Sequence, residues 1–236
     1  MLLDALKRVT RRFGVDVVRF PARTHSPLAK LLREREIQTV IDVGANIGQY
    51  GMRLRHLEAF TGQIVSVEPD PASFSLLTAR ASRDSRWSTH RIALGETHGA
   101  ATLHVAELSV LSSLRSPSAY GVETDSRIRA SHEITVEVTT LDALISEISV
   151  RDPVFLKVDT QGYERPILAG ATSTLARAEA LQIELSLKPL YENQPVLPEM
   201  FALVEDLGFQ PWALMTGYVD PKSGAIAELD GLFVRV

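Results

Sequence analysis

Acids close four of the apolar runs in this chain, and each is placed to meet a polar ligand. Asp42 lies in Thr39-Val-Ile-Asp-Val43, which runs into the turn Gly44-Ala-Asn-Ile-Gly48 and then Gln49-Tyr50. Glycine lets a backbone approach a ligand with no Cβ in the way. Glu68 follows Gln63–Val67, twenty positions after Gly48, with Pro69 next. An acid at about that distance accepts from both hydroxyls of a ribose. The densest stretch is Phe155-Leu-Lys-Val-Asp-Thr-Gln-Gly-Tyr-Glu164, in which Asp159, Gln161, Gly162 and Glu164 arrive within one turn. Carboxylates and an amide so close together must face solvent, a ligand or one another, because burying them unpaired is costly. Leu181-Gln-Ile-Glu-Leu-Ser-Leu187 repeats the theme with Glu184 and Ser186. Helix capping is the alternative role for Asp42, Glu68, Asp159 and Glu164.

The turn discriminates among nucleotide-like ligands. A dinucleotide site wants Gly-x-Gly-x-x-Gly, bare backbone where the diphosphate lies. Asn46 and Gln49 stand at the second and third of those glycines. NAD and FAD are therefore disfavoured, and S-adenosylmethionine, which has no phosphate, is the leading ligand. Ile92-Ala-Leu-Gly95 offers a small apolar wall, through Ala93 and Leu94, for an adenine ring. Lys188-Pro-Leu-Tyr-Glu-Asn-Gln194 mixes an aromatic with planar hydrogen-bonding groups, a combination suited to sugars and equally to a surface loop.

The elements that must hold these residues alternate. Strands are predicted at Thr39–Val43, Gln63–Val67, Ser88–Leu94, Val154–Val158, Leu181–Leu185, Gln210–Met215 and Leu232–Val236. Helices are predicted at Gln49–Ala59, Pro71–Ser82, Leu141–Glu147, Tyr163–Leu175 and Pro198–Leu207. Such alternation reads as an α/β fold, right-handed βαβ units with a mainly parallel sheet covered on both faces. Lys157, inside an apolar run, is expected towards a helix-covered face, snorkelling or paired with an acid. Ala101–Ala106 and Ile134–Val138 read as strands around a long serine-rich loop, Ser109 to Ser131; loops of that length are commonly functional.

Bulk properties narrow the class. The 236 residues carry a formal net charge of -4, arguing against a general nucleic-acid binder. No cysteine means no disulfide, no thiolate nucleophile and no thiolate-bound zinc. No apolar run reaches the roughly 18 residues of a membrane span, and Met1–Phe20, broken by Lys7, Arg8, Arg11 and Arg12, does not read as a signal peptide. The expected location is cytoplasmic. Leu2, Leu3, Leu6 and Val9 recur at helical spacing, giving an N-terminal helix that packs on the domain edge or touches a membrane surface weakly. The organisation read is an N-terminal helical extension, 1–37, and one domain, 38–236.

The chain resembles the FkbM family of S-adenosylmethionine-dependent methyltransferases. The resemblance rests on Val40-Ile-Asp-Val-Gly-Ala-Asn-Ile-Gly-Gln-Tyr50, Val67-Glu-Pro-Asp70, Ala93-Leu-Gly95, Val138-Thr-Thr-Leu-Asp142 and Leu156-Lys-Val-Asp-Thr-Gln-Gly-Tyr-Glu164. It continues through Glu184-Leu-Ser186 and Leu190-Tyr191 to Leu229-Asp-Gly-Leu-Phe-Val-Arg235. It implies a Rossmann-like class I methyltransferase fold, with a seven-stranded sheet and an antiparallel last strand. It also implies O-methylation of a sugar, glycolipid or secondary metabolite. By motif position, Asp42, Gly44, Asn46 and Gly48 would surround the methionine part and Glu68 the ribose, with Ala45, Gln49, Tyr50 and Pro69 also at the cofactor. Ala93 and Leu94 would flank the adenine, and Asp159, Gln161 and Gly162 the sulfonium. Ser112, in Ser112-Ser-Leu114, would close over the cofactor.

Transfer to an alcohol needs a base. Asp159 leads, with Glu184 and Glu164 in reserve; His132 and His25 serve only if their segments fold over the site. Asp159 and Glu184 could instead share Mg²⁺, although no metal is expected. The acceptor is a small molecule or glycan. The alternatives are an NAD-dependent oxidoreductase on the same sheet and a noncatalytic binding module.

Overall fold

The computed structural model describes residues 26–220 and 222–236. The basic N-terminal stretch, its membrane-contact reading and His25 lie outside the described residues. The chain first becomes legible at α1 (Pro27–Glu34), where Ser26 caps the helix through Ala29 N and Pro27 occupies the first turn. Leu28, Leu31 and Leu32 of α1 are buried against the domain's own core, beside Val40, Leu54, Phe60 and Phe155.

The strands are β1 (Thr39–Val43), β2 (Gln63–Val67), β3 (Trp87–His90), β4 (Ala93–Leu94), β5 (Gly99–Ala106), β6 (Ala130–Thr139), β7 (Val154–Val158), β8 (Ala178–Ser186), β9 (Phe209–Thr216) and β10 (Glu228–Arg235). The helices after α1 are α2 (Gln49–His56), α3 (Pro71–Ala81), α4 (Ala119–Thr124), α5 (Leu141–Ser146), α6 (Glu164–Ala169), α7 (Thr172–Arg177) and α8 (Leu197–Asp206). The main sheet has seven strands in the order β3-β2-β1-β7-β8-β10-β9. Its strands run parallel except β10, which is antiparallel to both β8 and β9. This is the expected Rossmann-like α/β sheet with its antiparallel last strand. The order reverses between β1 and β7, where ligands of open α/β sheets bind.

Alternation through the sheet sends side chains to two separate cores. Ile41, Val43, Val67, Leu156, Val158 and Ile183 pack under the face carrying α5 to α8. Val40, Ile64, Phe155 and Ala180 pack under the face carrying α1 to α3. A strand buried on both faces reads as a continuous apolar run, which is why β1 and β7 were legible.

Three expectations change. The run Ser88–Leu94 is two strands: β3 ends at His90, and β4 leaves the main sheet to join β6 and β5 in a separate three-stranded sheet. Its small core is Ala93, Leu103, Val105, Val136 and Val138. The helix expected over Tyr163–Leu175 is broken at Gly170–Ala171 into α6 and α7, because the Asp142 carboxylate caps a fresh start at Ser173 N and Thr174 N. The serine-rich loop holds structure of its own, α4 between two single 3-10 turns. It is pinned to the 189–194 segment by Ser118 N to Leu190 O, Arg115 to Glu192 O and Glu192 N to Ser116 O.

Candidate active site

Register brings the acids together. Val43 pairs with Val67 and with Val158, and Val158 with Ile183. Gly44, Glu68, Asp159 and Glu184 therefore emerge one step beyond a single row across four neighbouring strands. Side chains alternate along each strand, so the row one step before Val43 lies on the same face as these four. That row is Asp42, Ser66, Lys157 and Gln182. A buried polar layer thus underlies the site.

Above it is a cavity of about 570 Å³ at the carboxyl ends of the strands. One end is apolar, formed by Ile92, Leu94, Leu103, Val110 and Leu114; the other is acidic, with Asp159, Glu184, Glu228 and Asp230. Of the expected site residues, Gly44, Ala45, Asn46, Gln49, Tyr50, Glu68, Pro69, Ala93, Leu94, Ser112, Asp159, Gln161 and Glu184 line this cavity. Asp42, Gly48, Gly162 and Glu164 do not, and each is explained by its contacts.

Asp42 is fully buried beneath the cavity floor. The Lys157 ammonium lies 3.1 Å from its Oδ1 and 3.4 Å from Asp159 Oδ2, and donates to Gly44 O at 3.2 Å. Asp42 Oδ1 has no hydrogen bond of good geometry, so charge alone compensates it there. Burial raises the Asp42 carboxyl, against the pull of Lys157. Burial alone would lower Lys157, but Asp159 and Asp42 outweigh it and hold the ammonium firmly charged. Lys157 is thus paired rather than snorkelling.

Glu164 is the capping residue of its own loop. Its Oε1 accepts from Thr160 N (2.9 Å), Thr160 Oγ1 (3.1 Å) and Gly162 N (3.1 Å), tying down a turn in which Gln161 and Gly162 have positive φ. Burial raises its carboxyl, offset by those donors. Gly48 packs against Leu77 and Trp87 and Gly162 against Gln194, so both shape the turns from behind. His132 is exposed on β6 and bonded to Ser131, away from the cavity.

The turn Gly44–Gly48 has spent four of its five amides. Gly44 N and Ala45 N bond to Val67 O, Gly48 N bonds to Ala45 O, and Asn46 N donates to Glu68 Oε2 at 2.8 Å. Glu68 Oε1 accepts from Asp70 N at 2.9 Å. A carboxylate therefore sits where a diphosphate would need free N–H groups, and the dinucleotide reading fails on charge as well as spacing. Burial brings the Glu68 carboxyl up to about 7 despite those two donors. Gly44 itself, at φ +75°, leaves no room for a Cβ, which would overlap the carbonyl oxygen of Asp159.

At the acidic end, Gln161 Nε2 donates to Asp159 Oδ1 (3.1 Å) and to Glu184 Oε2 (2.9 Å). The amide thus bridges the two carboxylates that could have chelated Mg²⁺, and among the described residues no group of three potential ligands forms. Tyr191 OH lies 2.9 Å from Gln161 Oε1 and 2.8 Å from Leu111 O, linking the reaction end to the serine-rich segment. Ser113 Oγ donates to Gln161 O at 2.7 Å, so Ser109–Leu114 roofs the cavity.

Sequence reasoning missed Glu228, Asp230, Gln182, Arg53 and Tyr218, all of which line the cavity. The signal was the alternation Gln182-x-Glu184-x-Ser186 and Glu228-x-Asp230, two polar faces that β8 and β10 bring opposite each other.

A nucleoside-sized hollow with an apolar wall, a buried carboxylate at its middle and acids at its far end, set at the switch point of such a sheet, fits S-adenosylmethionine and defines a class I methyltransferase. The chain belongs to the Methyltransferase FkbM domain family, which matches residues 42–211, and is an S-adenosylmethionine-dependent methyltransferase. The 2-O-methyltransferase NoeI of Sinorhizobium fredii (strain NBRC 101917 / NGR234) is 26% identical over 203 residues, covering 82% of each chain. Among solved structures, magnesium protoporphyrin IX methyltransferase (ChlM) from Synechocystis PCC 6803 with bound SAM is similar at 11% identity and TM-score 0.47, over 98% of this chain and 91% of that one. TehB from Haemophilus influenzae is similar at 9% identity and TM-score 0.49, over 91% and 63%. At such identities no substrate carries over. Among the described residues, no helix is long and apolar enough to cross a membrane.

Proposed function

We propose that this methyltransferase O-methylates a hydroxyl of a sugar or a related polyhydroxylated molecule. The observation that carries the reading is the Glu68 carboxylate, buried in the glycine turn with both oxygens fixed by backbone amides and its remaining lone pairs towards the cavity. Carboxylate oxygens carry about four acceptor sites, so two stay available for a ribose diol. Pro69 stiffens the same corner. Ala93, Leu94 and the roof at Ser112 would take the adenine. Gly44, Ala45, Asn46, Gln49 and Tyr50 would take the methionine part, with Asp42 and Gly48 supporting them from behind.

The bound cofactor supplies a methyl group on a sulfonium, an electrophile that needs no metal. Asp159 is positioned by Lys157 and Gln161 at the end where that positive charge belongs. It orients and attracts the cation rather than serving as the base first expected of it. The Ser109–Leu114 roof excludes water from that end. Acceptor hydroxyls meet Gln182, Tyr218, Asp230 and Glu228, a set of acceptors and donors suited to a polyol. The name of the relative NoeI, a 2-O-methyltransferase, supports oxygen as the site of transfer.

Calorimetry with S-adenosylmethionine, S-adenosylhomocysteine and NAD, followed by mass spectrometry of a panel of sugars incubated with the enzyme and cofactor, tests the reading. Binding of the two sulfur nucleosides and a gain of one methyl group on a hydroxyl is expected. Binding without transfer to any panel member, or methylation only of amines, would defeat it.

A further inference from the structure

Glu228, which the sequence did not single out, has a partner that changes the chemistry of the acidic end. Glu184 faces Asp230 across the β8–β10 pairing, and Glu228 faces Ser186, so the two glutamates sit diagonally on one surface of adjacent strands. Both line the cavity. Each has one oxygen committed to a donor whose direction is forced. Leu190 N and Tyr191 N donate to Gln194 Oε1, at 2.7 and 3.1 Å, which turns Gln194 Nε2 towards Ser186 Oγ at 2.6 Å. With that acceptor site used, the Ser186 proton goes to Glu228 Oε1 at 2.7 Å. On the other side, Gln161 Nε2 donates to Asp159 Oδ1 and to Glu184 Oε2.

We propose that Glu184 takes the acceptor's hydroxyl proton during transfer and that Glu228, placed diagonally to it on the wall of the same cavity, tunes it. The inference rests on the hydroxyl-methylating reading above. In the step, the acceptor O–H bond breaks and its proton passes to the Glu184 carboxylate. The oxygen lone pair forms the new bond to the methyl carbon, and the sulfur–carbon pair stays on sulfur as a neutral thioether. Glu184 then returns its proton to solvent after product leaves. Glu184 is the catalytic residue; Glu228 is a positioning residue that sets its proton affinity.

The surroundings suit that task. Asp230 from β10, Asp159 from β7, Glu164 from α6 and Tyr191 from the following segment face the pair. The nearest cation, Lys157, is engaged by Asp42 and Asp159. Burial first, then Glu228 and Asp159, push Glu184 well above the usual carboxylate range, and burial brings Glu228 up to about 7. A base whose conjugate acid lies near the working pH is the most effective one.

The test combines turnover from pH 5 to 9, cofactor calorimetry, and carbon-13 carboxyl titration of glutamate-labelled enzyme. Wild-type turnover should rise with pH along an ionisation well above the usual carboxylate range, with a glutamate carboxyl that is absent from E184Q titrating in step with it. E184Q should lose about 100-fold or more in kcat while binding S-adenosylmethionine within about threefold of wild type. E228Q removes a neighbouring negative charge, so the rise should move to lower pH by about one pH unit, and E228D should restore it. The proposal is overturned by E184Q turning over near the wild-type rate, by an E228Q profile that does not move, or by no glutamate besides Glu68 titrating above the usual carboxylate range. Glu68 also rises to about 7, so the titration is repeated in E68Q; should E184Q or E228Q fail to fold, that titration still decides. Cofactor binding without methylation of any hydroxyl defeats the proposed function instead, and the E68Q titration then judges the two glutamates.

Discussion

Replacing Glu68 by glutamine separates what this side chain does for the fold from what it does for the ligand. The carboxylate accepts from Asn46 N and Asp70 N on different oxygens. In E68Q one of those amides meets an NH₂ group instead of an acceptor, and a charge-assisted hydrogen bond worth about 1.5–3 kcal/mol is lost. Against this, burial brings the wild-type carboxyl from 4.5 up to about 7, so keeping it ionised costs about 3 kcal/mol. The amide is spared that cost. At pH 8 the two effects offset each other, and E68Q should unfold within about 1 kcal/mol of wild type. The pH dependence has a definite sign. A carboxyl raised in the folded state lends stability that is full below about 4.5 and lost as pH rises through about 7. E68Q should therefore gain on wild type by about 3 kcal/mol between those limits. The ligand has no such compensation. A ribose diol loses one ionised acceptor, worth about 1.5–3 kcal/mol, so S-adenosylmethionine should bind roughly 10- to 150-fold more weakly. Urea unfolding at pH 4.5 and 8, with calorimetry at pH 8, measures both. A folded E68Q that binds the cofactor as tightly as wild type would refute the ribose assignment, and an equal pH slope in both proteins would refute the burial argument.

Two further substitutions probe the layer beneath the site. K157M leaves the Asp42 carboxylate fully buried with no counterion on Oδ1, which should cost about 3–5 kcal/mol at pH 8. The cost should shrink at pH 5, where Asp42, already raised by burial, takes a proton; urea melts at both pH values check this, and an equal cost at both would count against it. G44A places a Cβ into the Asp159 carbonyl at positive φ, a clash of backbone against backbone at the hinge of β1 and β7. Loss of about 4 kcal/mol or more is expected by thermal melting, and a wild-type melt would contradict the close approach of those strands.

The motif-bearing strands were legible because their burial leaves a chemical trace. After their first residues, β1, β2 and β7 are apolar except where a polar side chain belongs to the layer under the site. The end of α3 at Asp70–Pro71 was equally plain, since capping and the proline ring act within one turn. The β3–β4 break was not legible. Both pieces are apolar, and only partner choice in space, β2 for one and β6 for the other, separates them.

The site divides in the same way. Sequence by itself determined that the Gly44–Gly48 turn, Glu68 and Asp159 stand at strand ends around one site, because on parallel strands a strand end is also a site end. Sequence could not assign Glu164, because a carboxylate two and four residues from the backbone it caps looks the same as one facing a ligand; only the three donors on its Oε1 decided. Glu228 and Asp230 lie more than forty residues beyond Glu184 and reach the cavity only because β10 runs antiparallel beside β8. Local chemistry is written in adjacent residues, whereas the pairing of two acids from distant strands exists only once the register of the sheet is set.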